Sequence, residues 1–305
     1  MKKMIALAAA AALILGCCGC AGNSEDSDKL SVITTIYPAY DFARQVFGDN
    51  AEVTLLLKPG TESHTYDPSA KDIVKINECD LFIYNGGESD QWVDAILDGT
   101  DDINTLRMMD IVELHETEHD EHDDHDEHED IYDEHIWTSP ANAAKIVEEI
   151  GKQALALLPE NTESVSLATE DYIAQIHDLD LRFTELLSEE ERCFVFGDRF
   201  PLLYFFEQYD IEYESAFPGC GSNVEPSAQM VTHLLEKLSG EDVVPAVFCI
   251  ELSSRLVADT LAEESGLPVV EFHACHNITA DDFENGETYT SLMERNYETL
   301  KNILS

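Results

Sequence analysis

Apolar and polar positions along the chain follow two rhythms. Short apolar runs at 31–36 (SVITTI), 52–57 (EVTLLL) and 80–84 (DLFIY) read as strands, and each leads into a helical stretch. The first helix is opened by Pro38 and runs through Phe47. The second is capped by Ser69, with Asp72 at the fourth position of a capping box, and runs to about Glu78; the third falls near 90–98. Pro140 starts another helix, to about Leu158. From Asn161 to Ser188 there is no Gly or Pro, and Val165, Ala168, Tyr172, Ile176, Leu179, Phe183 and Leu186 recur at steps of 3 or 4. That is one face of a helix roughly 40 Å long. The first rhythm then resumes: CFVFG (193–197), a helix after Pro201, IEYESAF (211–217), a helix after Pro226, AVFCIE (246–251), a helix from Ser253 or Ser254, PVVEF (268–272) and a last helix from about Thr288. Such alternation implies parallel sheets covered on both faces. The expected architecture is α/β: two parallel-sheet lobes, 30–160 and 189–305, joined by one long rigid helix, 161–188. A cleft between two lobes is a usual place for a ligand.

The N-terminus breaks the pattern. Lys2 and Lys3 precede an apolar stretch, Met4 to Gly16, of 13 residues. A membrane-spanning helix needs about 20, so this reads as the core of a secretory signal. It ends Leu-Ile-Leu-Gly-Cys17, which resembles the bacterial lipoprotein signal. Residues 1–16 are then the signal, Cys17 carries the lipid, and polar residues to 29 form a tether; Cys20 after Gly19 is the fallback cleavage site. The expected location is extracytoplasmic, anchored by lipid to the outer face of the cell membrane.

Charge narrows the partners. Seventeen basic against 63 acidic residues give a net charge of −46. A nucleic-acid backbone needs a basic face to meet it, and an anionic membrane would repel this surface. A cation would be attracted. Of the 8 cysteines, Cys17, Cys18 and Cys20 belong to the signal and tether. Cys193 and Cys249 sit in apolar runs. Cys220 and Cys275 sit in loop-like sequence and are the better candidates for a disulfide.

Residues 115–135, HETEHDEHDDHDEHEDIYDEH, hold six of the 11 histidines and 12 of the 63 acidic residues. With so few apolar residues this stretch cannot bury a face. Its imidazoles at His115, His119, His122, His125 and His128 suit Zn²⁺, and the carboxylates around them raise the local cation concentration. His115-Glu116-Thr117-Glu118-His119 also spells H-E-x-x-H, the zinc-protease signature, but no apolar stripe is present to dock such a helix into a core.

Two other histidines sit where an α/β lobe presents its binding loops, beyond the carboxyl ends of strands: His64 in KPGTESHTYDPS and His135 in DEHIWTSP. The pattern P-G-x-x-x-H-x-Y-x-P, an acidic His-rich loop, then H-x-W-x-S-P resembles the zinc/manganese solute-binding proteins of bacterial ABC importers, in particular the zinc-specific branch. The resemblance covers essentially all of 30–305. It implies two lobes on a rigid helix, and His64 and His135 as ligands from the first lobe. The second lobe departs from the family. Where members carry a third His, this chain reads Gly197-Asp198-Arg199-Phe200. Where they carry an acidic ligand after the last strand, it reads His273-Ala274-Cys275-His276. His273 or His276 is therefore expected to complete the site. Glu225 and Glu251 match acidic positions that usually serve structure, His177 and His233 read as surface residues, and Trp92 and Trp137 as packing residues, with Trp137 able to shield a metal beside His135. The implied protein is no enzyme: a monomeric receptor that captures Zn²⁺ between its lobes and hands it to a membrane permease. The alternatives are a manganese or iron receptor of the same family, a zinc-dependent hydrolase, or an adhesin.

Overall fold

A computed structural model of the chain describes residues 29–61, 66–100, 103–116, 132–217 and 226–305. The expected signal 1–16, Cys17, His64, His119, His122, His125, His128, Cys220 and Glu225 lie outside these residues. Among the described residues no helix is long and apolar enough to cross a membrane.

The first lobe contains β1 (Leu30–Thr34), α1 (Tyr37–Phe47), β2 (Ala51–Leu55), α2 (Ala70–Glu78), β3 (Leu81–Tyr84), α3 (Trp92–Leu97), β4 (Thr105–Arg107) and α4 (Pro140–Leu157). Its sheet is parallel, in the order β2-β1-β3-β4. After α5 (Thr162–Leu187) come β5 (Cys193–Phe196), α6 (Leu203–Gln208), β6 (Tyr213–Ser215), α7 (Ala228–Leu238), β7 (Val243–Cys249), α8 (Leu256–Ser265), β8 (Val269–Glu271), α9 (Ala280–Glu284) and α10 (Tyr289–Leu304). The second sheet repeats the first, β6-β5-β7-β8, again parallel. β3 and β5 are buried along their whole length, as a strand covered on both faces must be, which is why both read as unbroken apolar runs.

Local signals set the helix starts. Ser69 and Asp72 form the expected reciprocal cap of α2, and Thr288 and Ser291 form another at α10. α8 begins later than Ser253 or Ser254, because Leu252 and Arg255 both take left-handed conformations, at φ 58° and 55°. β4 and α9, three and five residues long, carry too little periodicity to be read from the sequence.

In each sheet the strand order reverses beside the first strand, so crevices open at the carboxyl ends of β1 and β3 and of β5 and β7. α5 buries Val165, Tyr172, Ile176, Leu179, Phe183 and Leu187. One hydrophobic cluster holds Val32, Phe42 and Trp137 together with Phe183, Phe194, Phe206 and Phe272, so the lobes share a core.

Candidate metal centre

His135 is buried and sits just before a 3₁₀ turn, Ile136–Thr138, that feeds α4. Ser139 caps α4 by accepting from the Asn142 amide at 3.1 Å, which fixes where the preceding turn ends. The Asp133 carboxylate accepts from the His135 backbone N–H at 2.8 Å and lies 3.1 Å from Nδ1. With Nδ1 donating to that oxygen, the lone pair is on Nε2, the arrangement of a metal-ready imidazole. The segment before His135 is held as closely. The Glu134 carboxylate accepts from Ser89 N and Oγ, and Asn85 Nδ2 donates to the Glu134 carbonyl at 2.8 Å. The adjoining turn is Gly86-Gly87 for a steric reason. Gly86 has φ +95°, and a Cβ there would lie 2.1 Å from the Arg107 side chain; a Cβ on Gly87 would lie 2.1 Å from the Glu134 carboxylate.

In the second lobe, Glu251 follows β7 at the sheet's crevice and is buried. Its carboxylate accepts from Ala274 N at 2.7 Å and His276 N at 3.1 Å, shaping the loop after β8. Asn296 on α10 clamps the same loop, accepting from His273 N at 2.7 Å and donating to its carbonyl at 2.8 Å. The two loop histidines differ. The His276 ring lies 5.1 Å from the His135 ring and 5.0 Å from Trp137, so imidazoles from the two lobes meet edge to face, their planes 78° apart. His273 is turned to the loop itself: its Nδ1 accepts from Cys275 N at 2.9 Å, with Glu251 at 3.6 Å. A neutral imidazole that accepts through Nδ1 carries its proton on Nε2, and His273 Nε2 is buried with no hydrogen-bond partner.

The remaining sequence expectations fall as follows. Cys275 is a fully buried thiol, and Cys220, its expected disulfide partner, lies outside the described residues. The loop turns it inward at φ 58°, toward the His273 carbonyl, and burial raises its pKa well above the ordinary thiol value. Asp198 takes the backbone N–H groups of Arg199 at 2.8 Å and Ile250 at 3.2 Å, tying β5 to β7. His177 and His233 are exposed. Trp137 is fully buried with its ring 5.4 Å from His135, and its Nε1–H donates across the lobes to Ala274 O at 2.8 Å. Among the described residues no three of His, Cys, Asp and Glu gather as a metal cluster. Sequence reasoning passed over Asp133 and Asn296; only the position of Asp133, two residues before His135, could have pointed to it.

Residues 32–303 match the family model described as zinc-uptake complex component A, periplasmic. The chain belongs to this family. It is 32% identical over 309 residues to the zinc-binding lipoprotein AdcA of Streptococcus pneumoniae, covering 99% of this chain and 61% of that protein. The chain thus spans about three-fifths of AdcA. It is also 32% identical over 306 residues to the high-affinity zinc uptake system protein ZnuA of Bacillus subtilis, covering 97% of this chain and 95% of that one. Among solved structures, the Zn(II)-bound ZnuA-like domain of Streptococcus pneumoniae AdcA superposes with a TM-score of 0.74 at 31% identity, covering 90% of this chain and 99% of that domain. Proteins of this family are solute-binding receptors and not enzymes.

Proposed function

We propose that the chain is the extracytoplasmic receptor of a metal ABC importer, capturing Zn²⁺ between its lobes and delivering it to a membrane permease. The observation that carries the reading is the meeting of His135 and His276, from opposite lobes, with rings 5.1 Å apart beside a buried tryptophan. An ion held there would be bound by both lobes at once. His64 supplies the third imidazole, from the loop between β2 and α2. His276 is the second-lobe ligand, and His273 shapes the loop, since its Nδ1 accepts a backbone N–H. Three neutral imidazoles suit Zn²⁺ in a tetrahedral site with one further ligand, and suit Mn²⁺ less, because Mn²⁺ prefers carboxylates. The names of the AdcA and ZnuA relatives support zinc as the cargo.

On this reading residues 1–16 are removed, Cys17 is lipidated and 17–29 tether the receptor to the membrane. The first lobe is 30–160, the linking helix 161–188 and the second lobe 189–305. The tract around His119, His122, His125 and His128 holds further zinc weakly. Calorimetry on metal-stripped protein tests the central claim. One tight Zn²⁺ equivalent is expected, with Mn²⁺ weaker, and His135→Ala should cost at least a hundredfold in affinity while His273→Ala costs less. Equal losses from the two changes would overturn the ligand assignment. Tighter Mn²⁺ than Zn²⁺ would overturn the choice of cargo.

A further inference from the structure

Both ligand loops are fastened to the last helix, α10. Its Tyr289 is fully buried, and the Tyr289 hydroxyl donates to the Trp137 carbonyl at 2.9 Å, within the 3₁₀ turn that follows His135. Asn296 lies two helical turns further along the same face of α10. It accepts from His273 N at 2.7 Å and donates to the His273 carbonyl at 2.8 Å, in the loop that carries His276. A further bond joins the loops themselves, from Trp137 Nε1 to Ala274 O at 2.8 Å. The helix is in turn held in place. At its start Tyr289 N donates to Asp41 on α1 at 2.8 Å, and the Tyr37 hydroxyl and Arg44 Nη2 donate to the Glu287 carbonyl at 2.8 and 2.6 Å. Further along, the Glu294 carboxylate takes both terminal nitrogens of Arg182 on α5, each at 2.6 Å. A shift of α10 would break its bonds to α1, to α5 and to both loops at once.

We propose that Tyr289 and Asn296 are positioning residues that set metal preference: through α10 they hold the His135 and His276 loops at a separation that fits Zn²⁺ and penalises a larger divalent ion with the same taste in ligands. The inference rests on the receptor reading above. Zn²⁺ binds imidazole nitrogen at about 2.0–2.1 Å, so two imidazoles on one ion must lie within a narrow range of each other. Cd²⁺ also takes imidazole, at longer bonds. Donor type therefore does not separate the two ions, and geometry has to. Ligands on unrestrained loops could move apart to suit the longer bonds. Here Trp137 and His273 are each bonded to one helix through their backbones, and all of these partners are buried. Spreading the loops would stretch buried hydrogen bonds that water cannot replace. Neither Tyr289 nor Asn296 has to touch the ion to act in this way; each supports a residue next to a ligand.

Competition against a chromophoric chelator reads the tight site of the full chain apart from weaker ones. Zn²⁺ and Cd²⁺ affinities are to be compared for the unaltered chain, Tyr289→Phe and Asn296→Leu, with Leu300→Ala as control. Tyr289→Phe removes only the hydroxyl and keeps the ring against Phe42, 5.1 Å away. Leu300 is fully buried on α10 but its apolar side chain bonds neither loop. Tyr289→Phe and Asn296→Leu should each weaken Zn²⁺ binding by about tenfold or more, the usual cost of losing a residue that supports a ligand. Cd²⁺ should weaken distinctly less, so the preference for Zn²⁺ falls in both. Leu300→Ala should lower the melting temperature and leave the ratio of the two affinities unchanged. An unchanged ratio in either Tyr289→Phe or Asn296→Leu overturns the proposal, whether both metals weaken together or neither does, and leaves α10 with a structural role only. Should Asn296→Leu fail to fold, Tyr289→Phe decides alone. Absence of tight Zn²⁺ binding by the unaltered chain would overturn the receptor reading and this proposal with it, and it shows before any substitution is made.

Discussion

A few buried carboxylates fix the binding loops by accepting backbone N–H groups. Asp90 is the sharpest case. It lies at the crevice of the first sheet and accepts from Asn85 N at 2.7 Å, Gly86 N at 3.2 Å and the Thr35 hydroxyl at 3.1 Å. Burial nevertheless pushes its pKa up from 3.8 to about 6, with the nearby Glu134 charge adding to the rise. A carboxyl whose folded pKa is raised stabilises the protein through its protonated form. That contribution is full below about pH 4 and is lost as pH rises through about 6. A shift of about two units corresponds to roughly 3 kcal/mol. Asp90→Asn keeps an oxygen to accept the three donors and removes the charge. It should therefore stabilise the metal-free protein at pH 7.5 by roughly 2 kcal/mol relative to its effect at pH 4.5, where the unfolded carboxyl is already mostly ionised. Urea unfolding at the two pH values measures this, and an equal effect at both would contradict it. At this scale the sequence is half legible. His135 and His276 stand out by residue type and loop position. Asp90, Asp133 and Asn296 do not, because their roles come from contacts with backbone groups that no spacing rule marks.

Elements are legible where burial is two-sided or periodicity is long. β3 and α5 follow directly from an unbroken apolar run and from apolar steps of 3 and 4. β4 and α9 escape because so few residues carry no period. The start of α8 escapes because Leu252 and Arg255 adopt positive φ, which side-chain chemistry does not announce. How elements are joined is also hidden. Asp41 on α1 is fully buried and accepts from Arg44 Nε at 2.8 Å, Tyr289 N at 2.8 Å, Gln45 Nε2 at 3.2 Å and the Tyr172 hydroxyl. One carboxylate thus ties α1 to α5 and to the start of α10. Arg44 and Tyr37 add bonds to the Glu287 carbonyl, at 2.6 and 2.8 Å. Asp41→Ala would leave the buried Tyr289 amide and the Tyr172 hydroxyl proton without their acceptor, at roughly 1–3 kcal/mol each, so a loss of at least about 2 kcal/mol is expected. Asp41→Asn, which can still accept, should recover a good part of it. Denaturant melts of the two variants check this; equal losses would mean that the negative charge, not acceptance, matters.

The whole molecule bears on how a captured ion is held. Many two-lobed receptors close by a hinge that absorbs large backbone changes in a few residues. Here the link is α5, 26 residues or about 39 Å without Gly or Pro, with its buried face in a core common to both lobes. Further bonds cross between lobes at Trp137 to Ala274, Tyr289 to Trp137, and Gly60 to Ile278, at 2.8, 2.9 and 2.8 Å. A swing of one lobe would have to bend the helix, break these bonds and open apolar surface at once, which sharp helix kinks without Pro, Gly or a bulge do not permit cheaply. Binding energy should instead order the loops that carry His64, His135 and His276. Small-angle scattering on protein lacking 115–130, with and without one equivalent of Zn²⁺, is expected to show nearly the same radius of gyration. Protection from hydrogen exchange should rise in the loops around His135 and His276 and stay constant along α5. A clear compaction on adding zinc, with α5 exchanging faster in the metal-free protein, would mean that the shared core yields and the receptor closes by a hinge.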